Sequence, residues 1–164
     1  MSRYAVLQGR IQQQLQDLAL EYDYTIEQAA LARSSGIDAY WIAAGFGLQG
    51  FYTGLEKIFE QIARVVDQSF AMPSDRWHQE LLEQMKIDVP NIRPAVIDSD
   101  LYQQLRVYLG FRHVVRNNYT HRLDPRLIQA NVDSLEECYR RVLTAMNDFC
   151  VFLATIDEGL SSNG

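Results

Sequence analysis

Cysteine, proline, histidine and positive charge are all scarce in this chain, and no apolar run is long. Two cysteines in 164 residues leave no disulfide framework. Cys138 and Cys150 fall on one predicted helix, where twelve residues span roughly 18 Å, so they cannot pair there. They read as reduced core thiols of a cytoplasmic protein, and no cysteine or histidine spacing suggests a zinc site. The longest near-apolar run, Ala39 to Leu48, is too short for a bilayer, which takes roughly 20 residues, so no membrane partner is expected. The opening segment, Met1 to Arg10, reads as lacking the apolar core of a signal peptide. The net charge is −6 and the pI about 5.0, which argues against bulk coating of nucleic acid. A local basic cleft on an acidic body is still allowed. No stretch alternates with period two between turn signals, so no sheet is expected.

What is present is helical periodicity. An apolar content of 48% and 164 residues fit one domain with a real core, expected over residues 1–157, with 158–164 as a flexible tail. Tyr4, Leu7, Ile11, Leu15, Leu18, Tyr22, Ile26 and Ala29 recur every three or four residues, and Gly36 stands where a C-terminal cap would. A second helix is expected from Asp38 to about Gln68, with four glycines, Gly45, Gly47, Gly50 and Gly54, inside it. Interior glycine costs a helix about 0.5–1 kcal/mol relative to alanine, so four of them imply close helix approach, a kink or a partner surface. Pro73 and Ser74 open a short helix bearing Trp77, Leu81, Leu82 and Met85, and residues 86–94 form a connector. A fourth helix starts near Asp98 and carries its period through Tyr119, ending by Asp124-Pro125, which suits the start of the next. Ser134 and Glu137 offer an alternative start as a capping box. The last seam runs from Ile128 through Leu135, Val142 and Phe149 to Ile156. The expected fold is an all-α bundle of four long helices and one short one.

Two motifs are weaker than they look. Gly45-Phe-Gly-Leu-Gln-Gly50 matches G-x-G-x-x-G, and Asp67 lies about 20 residues on, but a dinucleotide loop needs a strand before the glycines. Helical period lies on both sides, so the glycines are assigned to helix packing. His78-Gln-Glu80 lacks the Pro-Cys-x-x-Cys partner of a deaminase and reads as a surface helix turn.

Chemistry concentrates between Arg106 and Arg126. This stretch holds Arg112, Arg116, Arg122, His113 and His121, and Asp124 is its only acid. On a continuous helix, His113, Asn117 and His121 form one polar stripe, with Arg112, Arg116 and Tyr119 beside it. A solvated face near a helix C-terminus, where the dipole favours cations, is the plain reading. The residues lack the carboxylates that hold Mg²⁺, so no metal site is assigned. They suit metal-free phosphodiester chemistry, in which histidine moves the 2′-OH or leaving-group proton and arginine holds the phosphate.

Arg116-Asn-Asn-Tyr-Thr-His121 resembles the Arg-x4-6-His signature of HEPN domains. The segments from Phe51 to Ala63 and from Phe111 to Arg116, followed by Leu123-Asp-Pro, are similar to the HepT-like branch of bacterial toxin–antitoxin pairs. The resemblance implies a HEPN-type four-helix bundle that dimerises to bring two motifs into one cleft. It implies a metal-independent endoribonuclease toxin with no cofactor, and RNA as substrate. It implies a minimal nucleotidyltransferase (MNT-type) antitoxin that silences the toxin by binding and by adding AMP to a tyrosine (AMPylation). Arg116 and His121 become the catalytic pair and Asn117 the supporting polar residue; His113 and Arg112 are added from the helical stripe. The family pattern continues Arg-x4-His-x-Tyr, with that tyrosine modified, whereas here Leu123 stands at its place. Either AMP control is lost or another tyrosine serves, and Tyr119 is nearest. The alternative function is a catalytically inactive helical module that binds a nucleotidyltransferase.

Overall fold

The computed structural model describes residues 2–69 and 74–162. Helix α1 spans Arg3–Ser35. The Ser2 hydroxyl starts it by accepting the Tyr4 N–H at 3.0 Å, and Gly36 ends it at φ 70°, donating its N–H to the Ala32 carbonyl. That left-handed turn is open to glycine at no steric cost, so the expected cap is where the chain reverses. Helix α2, Asp38–Ile62, follows directly, and a π turn, Ala63–Asp67, extends it to Gln68 at φ 53°. Helix α3 is Trp77–Lys86. It begins after Ser74; Pro73, the other half of the expected opening, lies outside the described residues.

The connector from Ile87 to Asp98 has little regular structure, yet it is fixed from within. Arg93 is buried and its guanidinium donates to both carboxylate oxygens of Asp67, at 2.5 and 2.7 Å. It also donates to the carbonyls of Gln84, Ile87 and Pro94 at 3.0–3.1 Å. A buried charge is tolerable only with such pairing. Asp67 therefore clamps the connector, which settles the coincidental spacing behind the glycines.

Helix α4 is Ser99–Asn117, capped by the Asp98 carboxylate on the Leu101 N–H at 2.7 Å. A single 3₁₀ turn, Thr120–Arg122, leads to α5, Pro125–Asp133, and α6, Leu135–Ser161. As expected, Asp124 and Pro125 start α5: the Asp124 side chain accepts the Arg126 N–H at 2.9 Å and proline fills the first turn. The seam expected as one helix from Ile128 is broken at Ser134. The break has a local cause. Ser134 Oγ donates to the Asn131 carbonyl at 3.1 Å, and the Tyr108 hydroxyl from α4 reaches both groups, at 2.7 and 2.9 Å. The described residues thus hold four long helices and two short ones rather than one. Helix α6 also continues to Ser161, so residues 158–161 of the expected tail are helical.

The core gathers on α2, with Phe51, Leu55, Ile58, Phe59 and Ile62 fully buried, and α1, α3, α4 and α5 packed around it. The glycines explain how α1 comes so close. A Cβ on Gly47 would lie 2.1 Å from Thr25 Oγ1, one on Gly50 2.8 Å from the Glu21 carboxylate, and one on Gly54 2.9 Å from Leu18 Cδ2. Partner numbers fall as glycine numbers rise, so α1 and α2 run antiparallel. The helix-packing assignment of these glycines holds.

Candidate functional site: the end of helix α4

Helix α4 stops where two asparagines follow one another. The Asn117 side chain donates to the His113 carbonyl at 2.8 Å, and the Asn118 side chain to the Val114 carbonyl at 2.9 Å. Side-chain amides thus compete with backbone N–H groups for the carbonyls of the last turn, which favours ending the helix here. Asn118 is extended, at φ −123° and ψ 151°. The polar stripe expected on a continuous helix is therefore corrected: His113, Arg116 and Asn117 end α4, whereas His121 sits on the separate 3₁₀ turn.

Arg116 is exposed and, among the described residues, pairs with no carboxylate. His113 is exposed beside it, with Asn117 Nδ2 at 3.2 Å from its Nδ1. Past the break, the rings of Tyr119 and His121 lie nearly parallel, centroids 5.7 Å apart at 16°. The Arg122 guanidinium is 5.6 Å from the Tyr119 centroid. Tyr119 was expected on the helix, where a large side chain packs; it is off the helix and 70% exposed.

Arg112 does not join this group. It is buried and turned toward α2, its Nε donating to Thr53 Oγ1 at 3.3 Å, with the guanidinium 4.0 Å from Glu56 Oε1. Glu56 is itself buried and meets His78 Nδ1 at 2.7 Å. His78 is thus half-buried and bonded to Glu56, not part of a surface turn as expected. Burial, with the Glu56 charge adding to it, raises the pKa of the neighbouring Tyr52 hydroxyl far above the tyrosine range and keeps it protonated. Arg112 thus underpins α4 one turn before Arg116 and stands beneath the exposed cluster.

A family model described as HepT-like protein matches residues 43–153, more than half of the chain. The chain belongs to the HepT-like family of HEPN-domain proteins. No curated protein and no solved structure gives a significant match. The matched span takes in nearly all of α2 and the whole of α3, α4 and α5, and therefore the segment from Arg116 to His121.

In this HepT-like protein, position 123 is a structural anchor. Leu123 is only 6% exposed and joins the core. Its N–H donates to the Thr120 carbonyl at 3.2 Å, which closes the 3₁₀ turn beneath His121. No helix among the described residues is long and apolar enough to cross a membrane. The HepT-like protein's Cys138 is buried in the core, and burial pushes its thiol up to about 12, so its placement fits the packing reading. Sequence reading missed the Thr53–Glu56–His78–Arg112 cluster. Glu56 follows Leu55 on a helix buried nearly all round, and periodicity cannot distinguish a buried acid from a solvated one.

Proposed function

We propose that this HepT-like protein is a metal-independent endoribonuclease toxin. The observation that carries the reading is Arg116, an exposed arginine without a carboxylate partner among the described residues, on a motif shared with His121. An unpaired guanidinium is available to a phosphate, and it favours charge building on phosphoryl oxygens in the transition state. An exposed imidazole is available to move a proton. In the proposed reaction His121 takes the proton of a ribose 2′-OH. The 2′-oxygen bonds to phosphorus, the bond to the 5′-oxygen breaks, and that oxygen takes up a proton. A 2′,3′-cyclic phosphate and a 5′-OH result. In a homodimer two His121 side chains share one cleft, so one copy serves as base and the other as acid. His113 and Asn117 support the arginine's surroundings.

The proposed partner is an MNT-type nucleotidyltransferase antitoxin. With Leu123 buried, Tyr119 is the acceptor for AMP transfer: its hydroxyl stands on an exposed ring within the motif. The test is RNA cleavage in EDTA by the purified dimer and its Arg116→Ala and His121→Ala variants. Loss of cutting in both variants, with helicity unchanged, supports the reading. Equal cutting by all three proteins refutes it. No cutting by any of them, from a folded dimer, favours the inactive nucleotidyltransferase-binding module.

A further inference from the structure

We propose that Tyr119 is a base-stacking residue of this site, holding an unpaired nucleobase of the RNA while its phosphate lies toward Arg116 and His121. The proposal rests on the ribonuclease reading and assigns that substrate a contact. Among the described residues, Tyr119 is the most exposed of the large hydrophobic side chains, at 70%. Nothing in the core requires it, and an exposed aromatic face in water gains by covering apolar area.

Its presentation is fixed. Tyr119 occupies the residue before the 3₁₀ turn with extended backbone, φ −64° and ψ 144°. Its carbonyl accepts the Arg122 N–H at 2.9 Å. Buried Leu123 then holds the far side of the turn. A platform already fixed in place loses little entropy on binding.

The ring geometry leaves room for a base. Parallel rings in contact lie about 3.5–4 Å apart, so a 5.7 Å centroid separation means a lateral slip of roughly 4 Å. Tyr119 and His121 overlap only at their edges. Arg122, at 5.6 Å from the Tyr119 centroid, adds a cationic plane. Aromatic rings and guanidinium planes together receive splayed-out RNA bases, whereas a paired base has both faces covered by its neighbours. A base on Tyr119 sets its own sugar and phosphate next to the histidine that moves the proton. The ring face does this, not the hydroxyl, so phenylalanine serves equally.

The experiment uses the full-length chain, wild type beside Tyr119→Ala and Tyr119→Phe. The substrate is a short RNA with one unpaired 2-aminopurine. Its all-2′-deoxy counterpart lacks the nucleophile, so binding is read without cutting. Alanine is expected to weaken binding and raise KM about ten- to hundredfold, with kcat little changed, and to abolish 2-aminopurine quenching. Phenylalanine is expected to restore all three. Quenching by the alanine variant equal to wild type overturns the proposal. So does a phenylalanine variant as defective as alanine, or a duplex of the same sequence bound as tightly. Cutting that needs His121 but ignores Tyr119→Ala sinks the stacking residue and spares the ribonuclease. Quenching that follows Tyr119 in a protein that cuts nothing sinks the ribonuclease and spares the stacking residue.

Discussion

Gly47→Ala should lower the stability of the protein, although alanine is the better helix former. A Cβ at Gly47 would meet Thr25 Oγ1 at 2.1 Å, Thr25 Cβ at 3.1 Å and Thr25 Cα at 3.3 Å. Thr25 cannot swing aside cheaply, because it is fully buried and its hydroxyl donates to the Glu21 carbonyl at 2.7 Å. The α1 backbone must therefore move. Alanine gains about 1 kcal/mol in helix propensity, and overpacking a close contact costs about 1–3 kcal/mol. With backbone in the clash the upper half of that range applies, leaving a net loss of roughly 1–2 kcal/mol. In a domain of this size that lowers Tm by about 2–8 °C. Two companion variants calibrate the value. A Cβ at Gly9 meets nothing within 4 Å, so Gly9→Ala should raise Tm by a few degrees. One at Gly54 meets Leu18 Cδ2 at 2.9 Å and Gln14 Nε2 at 3.5 Å, side-chain ends and no backbone, so Gly54→Ala should fall between. Thermal unfolding followed by circular dichroism gives all three. A Gly47→Ala protein as stable as Gly9→Ala would show that α1 and α2 are not in tight contact, and the argument from the glycines would fail.

Asp67→Asn removes the one carboxylate that pairs with buried Arg93 among the described residues and should cost roughly 3–5 kcal/mol in urea unfolding; a loss under 1 kcal/mol would mean the carbonyls suffice. Burial pushes the Cys138 thiol up to about 12 and also raises that of half-buried Cys150. Native protein at pH 8 should therefore react slowly with a disulfide reagent, and both thiols should react promptly once unfolded. Burial raises the Glu21 carboxyl pKa, so the folded form takes up its proton before the unfolded form does. Glu21 thus favours folding below the ordinary carboxylate range, and that advantage is lost as pH rises through the raised value. Glu21→Gln should raise Tm at pH 7 and lose the gain by pH 4; a constant gain would assign it to something other than charge.

Much of the bundle was legible because helix signals are local. Gly36, Asp98, Asp124 and Pro125 act within a few residues of themselves, and each ends or starts a helix as its chemistry dictates. What escaped depended on distant partners. The seam through Val132 and Leu135 keeps its period across Ser134, and only the Tyr108 hydroxyl, from another helix, shows why the chain breaks there. Arg112 and Arg116 look alike in sequence; Thr53 and Glu56 on α2 bury the first and leave the second free to face solvent. The end of α4 was a different kind of miss. Asn117-Asn118 can stop a helix through side-chain bonds to its last turn, but the expectation followed the regular spacing of His113, Asn117 and His121 straight through it.

The break at Asn118 also divides the labour of holding the site together. Arg116 is carried by a helix whose neighbouring turns bury Tyr108, Phe111 and Val115. His121 is carried by one turn, moored by Leu123 and by the Asp124 cap. Burying a leucine is worth roughly 2 kcal/mol and a cap about 1 kcal/mol. Contacts this few let the turn open at a lower cost than unfolding the bundle. The arginine thus keeps the stability of the fold, whereas the histidine follows a local opening of its own. An anion bridging the two would stabilise the closed turn by mass action, so the amides of the turn should exchange more slowly when it is bound.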